Sequence, residues 1–221
     1  MRSVPTLSLI CASGLLFASV VQADQTVSYN YAELSYVRSN VEVGGGFGDI
    51  DGDGGRLGFS FEFSDSFYAV GNYEIIDLDD ISITIPGGGA TSASLDVDTW
   101  SAGVGWHSRL SDASSGAFNS AKDRWSFFAQ AEYVSFEVDG ASAVDGYEAM
   151  VGARSVNHTN FEFIAAVGYQ ELENSDGELV FEGRLMYDIT DDFKAQLGVD
   201  YVEDFIRGFI GVRYTFPTFR N

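Results

Sequence analysis

Residues Ile206–Phe216, with the sequence IRGFIGVRYTF, alternate between two kinds of side chain along their whole length. One row is mostly apolar and ends in an aromatic pair, whereas the other row carries two arginines. The first row consists of Ile206, Gly208, Ile210, Val212, Tyr214 and Phe216, and the second of Arg207, Phe209, Gly211, Arg213 and Thr215. Because successive side chains of a β-strand point to opposite faces, this segment is predicted to be a strand with one apolar and one polar face.

The same alternation recurs in nine earlier segments. They are roughly Ser28–Val37, Arg56–Phe63, Phe67–Ile75, Leu95–Trp106, Trp125–Val138, Tyr147–Arg154, Phe161–Gln170, Leu179–Asp188 and Phe193–Tyr201. A period of two that is this persistent excludes an α-helical fold. Two β folds can produce it: a soluble sandwich, whose apolar rows form the core, and a transmembrane barrel, whose apolar rows face lipid.

The polar rows favour the barrel. They concentrate charges of both signs, and a narrow lumen requires this because a buried charge is tolerated only when it is paired. The predicted lumen ion-pair network consists of Glu33, Arg56, Glu62, Glu74, Glu132, Glu148, Arg154, Glu162, Glu182, Arg184, Lys194, Asp200, Arg207 and Arg213. Ring closure should bring Arg213 to Glu33 and Arg207 to Asp200. We therefore predict an all-β, antiparallel transmembrane β-barrel of about ten strands, with eight as the alternative, and a polar, plugged lumen.

The first 23 residues have the features of a secretion signal. Arg2 precedes the apolar stretch Leu7–Val21, and Val21-Gln22-Ala23 is a small-x-small cleavage site. We therefore expect residues 1–23 to be a signal peptide and residues 24–221 to form the outer-membrane barrel domain. Cleavage would remove Cys11, the single cysteine, which suits an oxidising compartment.

An even number of strands places both termini on the periplasmic side if the chain starts there. Tight periplasmic turns are then expected at Ser64–Ser66, Asn157–Asn160 and Thr190–Asp192, with a longer periplasmic connection at Leu110–Asp123. The outer connections are expected at Asn40–Gly55, Asp77–Asp98, Asp139–Asp145, Glu173–Glu178 and Glu203–Asp204. The second outer connection is expected to form a hairpin that extends strands three and four beyond the membrane.

The net charge of −21 lies mainly on the outer connections. It excludes nucleic acid as a partner, because binding nucleic acid requires a basic surface. Two interpretations of the acidic residues stay open. They either keep exposed loops solvated, or form a crown that shares divalent cations with anionic lipopolysaccharide.

The closing strand, with Ile210, Val212, Tyr214 and Phe216 at alternate positions, resembles that of the small Gram-negative outer-membrane β-barrels. This group includes the OmpA membrane domain and OmpX- or Ail-like proteins. The resemblance implies that these four residues are the signal for the barrel-assembly machinery. It also implies a monomer in contact with outer-membrane lipid and lipopolysaccharide. The chain departs from the family by its five additional residues, Pro217–Asn221, and by ten predicted strands where the best-known members have eight.

The segment Asp49–Gly54 spaces three carboxylates as a calcium loop does. Asp49, Asp51 and Asp53 occupy positions 1, 3 and 5, but position 12 is Ser60 where a bidentate acid is normally found. The segment is therefore either a Ca²⁺ site or a solvated acidic loop. We expect no other cofactor.

The sequence offers little for catalysis. Its two histidines, His107 and His158, are both predicted at the periplasmic side, and the pair His107-Ser108 lacks a third partner. We expect a non-enzymatic protein with a structural or surface-interaction role through its acidic extracellular loops. The alternatives are a narrow porin-like channel for small solutes or cations, and an outer-membrane lipid-modifying enzyme or protease.

Replacing Phe216 with aspartate should reduce outer-membrane yield more than the same change at Phe219. Phe216 continues the apolar row of the closing strand, whereas Pro217 interrupts the backbone ladder between the two positions. Heat-modifiable protein in outer-membrane fractions measures the yield. Equal losses, or a larger loss at Phe219, would place the assembly signal further along the chain.

Overall fold

Ten antiparallel strands form a closed barrel in the computed structural model. It describes residues 27–43, 48–84, 90–110, 124–156, 160–173, 175–202 and 205–216. The strands are β1 (Tyr31–Val43), β2 (Gly48–Glu62), β3 (Phe67–Thr84), β4 (Ala90–Leu110), β5 (Arg124–Val138), β6 (Val144–Val156), β7 (Phe161–Leu172), β8 (Glu178–Asp188), β9 (Phe193–Val202) and β10 (Phe205–Thr215). The predicted all-β fold with ten strands is confirmed. The described part of the chain contains no helix that is both long enough and apolar enough to cross a membrane.

Pairing between the first and last strands closes the ring. Strand β1 pairs with β10 from Tyr31 opposite Thr215 to Val41 opposite Phe205. Every strand therefore has a neighbour on both sides. This matters because lipid supplies no hydrogen-bond partner for a free strand edge.

The two faces of the barrel have the polarity of a membrane protein. Leu34 and Ile210 on the outside are 60% and 62% exposed, whereas Arg213 and Glu162 on the inside are each 1% exposed. A soluble sheet buries its apolar face and exposes its charges. The reverse arrangement is stable only when the outer face contacts lipid, so the fold is a transmembrane β-barrel.

Outward aromatic residues form two bands. We call the end at which the described residues begin, at Val27, and finish, at Phe216, the terminal end, and the opposite end the distal end. The terminal band includes Phe67, Trp106, Trp125, Tyr187, Phe193 and Tyr214. The distal band includes Tyr73, Trp100, Tyr147, Tyr169 and Tyr201, together with Tyr133, which is half-buried. Neighbouring rings within a band contact each other, as Trp100 and Tyr133 do at a centroid distance of 5.4 Å. Such bands mark the two water–lipid interfaces.

Several strands extend beyond the distal band. Strands β3 and β4 contain 18 and 21 residues, whereas roughly 9–11 residues cross a bilayer. The expected extension of these two strands is confirmed, and residues 85–89 of its tip lie outside the described residues. Within the described residues, strand β2 does not pair with β3 beyond Leu78, and β5 does not pair with β4 beyond Val97. The segments Ile81–Thr84 and Ala90–Ala93 therefore pair only with each other, and we call this two-stranded ribbon the distal ribbon.

The prediction that Asn40–Gly55 is a connection was wrong. Strand β1 continues to Val43 and β2 already begins at Gly48. The polar, glycine-rich composition of this segment suggested a loop. The backbone ladder between β1 and β2 nevertheless holds it as an extended hairpin, since strand propensity depends on context. Of the three predicted tight turns, Ser64–Ser66 and Thr190–Asp192 are present, and Asn157–Asn160 lies mostly outside the described residues.

Two inward aromatic rings are accommodated by glycines on the adjacent strand. Tyr68 lies opposite Gly105, and Phe209 lies opposite Gly198. A Cβ atom at either glycine would overlap the facing ring. The absence of a side chain thus makes room for a large ring inside a narrow barrel.

The refolded protein should migrate differently on a detergent gel before and after boiling. The closed backbone ladder resists detergent because opening it would expose unpaired hydrogen-bonding groups. Densitometry of unheated and boiled samples measures the effect. Identical migration under both conditions would contradict a closed barrel.

Candidate functional site

The lumen is the candidate functional site because it contains most of the buried charges. Twelve of them form three groups, each with two cations and two anions. The distal quartet is Arg56, Glu74, Asp200 and Arg207; the central quartet is Glu33, Glu182, Arg184 and Arg213; and the terminal quartet is Arg154, Glu162, Asp188 and Lys194. Charges balance within each quartet, so each can exist in a low-dielectric interior.

Glu33 is the hub of the central quartet. Arg213 donates to its Oε2 from Nε at 2.9 Å and from Nη2 at 2.7 Å. Arg184 donates from Nη1 to both carboxylate oxygens, at 3.0 and 2.9 Å, and also contacts Glu182 at 3.0 Å. Because Arg184 lies on β8 and Glu33 on β1, three positions apart in the ring, this bond crosses the lumen.

The distal quartet crosses the lumen in the same way. Arg56 donates from Nε to Glu74 at 2.6 Å and contacts Asp200 at 2.8 Å through Nη2. Arg207 donates to Glu74 at 3.0 Å, while its Nε lies 3.8 Å from Asp200. Both expected pairs, Arg213–Glu33 and Arg207–Asp200, are therefore present. The shorter bond to Asp200, however, comes from Arg56 on β2, which the sequence did not predict.

The terminal quartet is built around Glu162. Arg154 donates to its Oε1 from both Nε and Nη2, and Lys194 donates to its Oε2 at 2.9 Å. Lys194 also lies 2.8 Å from Asp188. Asp188 alternates in step with Glu182 and Arg184 in the predicted strand Leu179–Asp188, but it was not included in the predicted network.

The residues before β1 enter the terminal end of the lumen. Tyr29 is buried and stacks on His107 at a centroid distance of 4.2 Å, and the Arg154 guanidinium lies 4.4 Å from the Tyr29 ring centroid. Asn30 donates to Glu62 at 3.0 Å, and His107 Nε2 lies 3.0 Å from the other Glu62 oxygen. This segment thus forms part of the plug. The sequence indicated only that Ser28–Val37 alternates as a strand does, and it did not predict that these residues enter the lumen.

Two predicted network residues have no cationic partner among the described side chains. Glu132 and Glu148 lie directly opposite each other on β5 and β6. Glu132 accepts hydrogen bonds from Ser101 at 2.6 Å and Gln130 at 2.9 Å, and Glu148 accepts one from Gln170 at 3.5 Å. Neutral donors therefore solvate both carboxylates in place of an arginine or lysine.

Three cavities follow one another along the barrel axis. A cavity of about 110 Å³ lies between the distal and central quartets and is bordered by Glu132 and Glu148. A cavity of about 60 Å³ lies below it, beside Tyr29 and Tyr68. A third, of about 420 Å³, lies at the distal end. The distal and central quartets lie in the walls that these cavities share, so the ion pairs interrupt the path through the barrel.

The proposed calcium ligands lie on a strand and not in a loop. Asp51 and Asp53 belong to β2 and point away from the lumen, and the Asp49 side chain lies outside the described part of the structure. Asp51 contacts Arg38 at 3.5 Å and accepts a hydrogen bond from Asn40 at 3.0 Å. The described side chains include no group of three or more potential metal ligands. Calcium binding here stays a prediction.

His107 and Ser108 do not form a catalytic pair. His107 points into the lumen and is fully buried, whereas Ser108 follows it on the strand and therefore points to the opposite face. His158 lies outside the described residues.

The predicted assembly signal lies on the lipid-facing side. Ile210, Val212 and Tyr214 are exposed on β10. Phe216 follows the strand, its amide donates to the Asn30 carbonyl at 3.2 Å, and its ring lies 6.4 Å from that of Tyr214. Recognition of these residues by the assembly machinery stays a prediction.

The structure is similar to several solved outer-membrane barrels. The translocator domain of the autotransporter NalP from Neisseria meningitidis is 10% identical, with a TM-score of 0.48, and the match covers 86% of this chain and 90% of that one. Ail, the attachment invasion locus protein of Yersinia pestis, is 14% identical, with a TM-score of 0.35 and coverage of 86% and 100%. The KdgM porin, solved in complex with disordered oligogalacturonate, is 10% identical, with a TM-score of 0.42 and coverage of 84% and 99%.

These neighbours are outer-membrane β-barrels, and the likeness concerns the fold alone. No protein-family model matches the chain. No curated protein matches it either.

A double-mutant cycle on Glu33→Gln and Arg213→Gln should give a coupling energy of about 1–3 kcal/mol in urea refolding titrations in lipid vesicles. Glu33→Gln alone should cost about 3–5 kcal/mol, because it leaves two buried arginines without their shared acceptor. The exposed pair Arg38–Asp51 is the matched control and should show much weaker coupling. Additive effects at Glu33 and Arg213 would mean that water solvates these charges.

Proposed function

We propose that this protein is a non-enzymatic β-barrel of the bacterial outer membrane. Its terminal end faces the periplasm, its lumen does not conduct, and its distal strands meet partners at the cell surface. The observation that carries the proposal is the bond from Arg184 to Glu33, which crosses the lumen within the central quartet.

The packing of the lumen supports a closed barrel. Glu33 and Arg213 are 4% and 1% exposed, so the pair at the centre of this quartet is shielded from bulk water. Opening a path there would separate buried opposite charges, which is costly in a low-dielectric interior. Barrels of this size are generally filled by their side chains.

The extension of the strands beyond the distal band supports the orientation. At the terminal end the turns between β2 and β3 and between β8 and β9 are short, and the exception is the connection of 13 residues between β4 and β5, which lies outside the described residues. The distal strands, by contrast, extend far beyond their aromatic band. Outer-membrane barrels have short periplasmic turns and longer extracellular segments. The distal ribbon would then project from the cell surface.

Acidic residues on the outer face support a surface role. Asp77 and Asp96 lie directly opposite each other above the distal band, with Asp98 and Asp139 nearby. The neighbouring Asp77 carboxylate is the main cause of a raised pKa at Asp96. Such a cluster is suited to sharing divalent cations with the phosphates of lipopolysaccharide.

Planar-bilayer recording of the refolded protein tests the proposal. We expect no stepwise conductance from the wild-type barrel and brief openings from Arg184→Ala, which removes the bond across the lumen. The variant also shows that the protein has inserted into the bilayer. Steady cation-selective steps from the wild type would instead establish the narrow channel as its function.

Replacing Asp96 with asparagine should slow amide hydrogen exchange in the distal ribbon at neutral pH. The pKa of Asp96 is raised in the folded protein, so the folded state binds this proton more tightly than the unfolded state does. Wild-type stability should therefore rise as the pH falls from neutral through the folded pKa, and the variant should lack this gain. Asp191→Asn, at the terminal end, is the control and should leave the ribbon unchanged. A wild-type ribbon whose exchange shows no such stabilisation would contradict carboxylate repulsion at this site.

A further inference from the structure

The distal third of the lumen differs in chemistry from the rest of it. Its cavity of about 420 Å³ has mostly apolar walls, although the walls are formed by inward-facing side chains. Six of these are Ile76, Leu78, Leu95, Val97, Phe136 and Val138. Lumen-facing positions of membrane barrels are ordinarily polar because they contact water or each other's charges. We call this cavity the distal cup.

We propose that the distal cup is a binding site for a small, uncharged, mostly apolar molecule that carries one hydrogen-bonding group. This goes beyond the proposed surface role, and neither depends on the other. A closed barrel can bind a ligand in its mouth without conducting.

The walls of the cup are held by a compact apolar cluster. Val37, Ile76, Val97 and Phe209 are buried together, and Leu78 and Phe136 pack against them. Phe209 separates this cluster from the charges below, with the guanidinium groups of Arg56 and Arg184 at 5.0 and 4.9 Å from its ring centroid. Because the cluster fixes the walls, the cup is formed before any ligand enters, as is usual for small-molecule sites.

The floor of the cup indicates that the ligand carries no charge. Glu74 and Arg207 there are bonded to each other at 3.0 Å and belong to the balanced distal quartet, and Glu178 is the third charged residue that lines the cup. An anionic ligand would meet Glu74, and a cationic one would meet Arg207. Gln170 and Thr99 also line the cavity, and their amide and hydroxyl groups can bond a neutral polar group.

The volume sets the size of the ligand. An apolar cavity of about 150 Å³ engineered into another protein stays dry and binds benzene. The distal cup is larger than that and falls within the usual range of roughly 300–1,000 Å³ for small-molecule pockets. It can therefore hold a fused aromatic ring system or a medium-length acyl chain. The cavity of about 110 Å³ below it cannot.

Titration of 1-naphthol into the barrel in lipid nanodiscs tests the proposal. Val97→Phe fills the cup and should weaken binding at least about tenfold, which corresponds to about 1.4 kcal/mol. Val104→Phe is the matched control, because it adds the same ring to the same strand on the lipid-facing side. Gln170→Leu should weaken the binding of 1-naphthol but leave the binding of naphthalene unchanged.

Magnetisation transfer from bound 1-naphthol to the wild-type protein tests the site without any variant. Contacts should appear at the methyl groups of Ile76 and Val97 and be absent at Val104. Contacts at Val104 alone, or equal binding by both phenylalanine variants, would show that the probe dissolves in lipid and would overturn the proposal. Tighter binding of 2-naphthoate than of 1-naphthol would overturn the assignment of an uncharged ligand. Channel recordings bear on the proposed function alone and do not affect this outcome.

Discussion

A charge inside a ten-stranded barrel has no bulk water to solvate it, and this constraint governs the arrangement of the lumen. The free energy lost when such a charge leaves water is offset by opposite charges, by neutral hydrogen-bond donors and by aromatic faces. Arg213 shows two of these, because it donates to Glu33 on one side and lies 3.7 Å from the Tyr31 ring centroid. Glu132 shows the third, with Ser101 and Gln130 as its donors. The glycines opposite Tyr68 and Phe209 make room for rings in the same crowded space.

The chemistry of the interior changes along the axis. The terminal end is closed by the segment around Tyr29, which stacks on His107, and the middle is closed by charges bonded across the lumen. Among the described residues, the distal end of the lumen holds a large cavity with mostly apolar walls. An ion-paired middle and a large distal cavity suit a barrel that contacts partners and binds small molecules better than they suit a channel.

The alternation of residues was sufficient to predict which side chains point inward. The charges of the predicted network lie on the inward face, because side-chain direction follows strand periodicity. Their partners were harder to predict. Arg207 and Asp200 are neighbours in register and were paired correctly, but the bond from Arg56 to Asp200 crosses two intervening strands. Such contacts depend on the stagger and tilt of the whole ring, which local sequence does not encode.

The distal cup escaped prediction for a different reason. Leu78 and Leu95 fall within the segment Asp77–Asp98, whose acidic and glycine residues indicated an outer connection. In the structure this segment is largely strand, and its described inward side chains, those of Leu78, Leu95 and Val97, form part of the cup wall. Outside the membrane the outward row faces water and can be acidic, while the inward row is apolar. This is the reverse of the pattern by which the other strands were recognised, in which the outward row is apolar and the inward row polar.

Proton exchange at the arginine Nε positions tests the central claim that paired charges close the lumen. Arg56, Arg154 and Arg213 each donate from Nε to a buried carboxylate, at 2.6, 2.7 and 2.9 Å, whereas the Arg38 side chain is 71% exposed. In nuclear magnetic resonance spectra of arginine-labelled protein in nanodiscs, the first three Hε protons should exchange slowly with water and that of Arg38 rapidly. Equally rapid exchange at all four would show a wet lumen with solvated charges and would contradict the account.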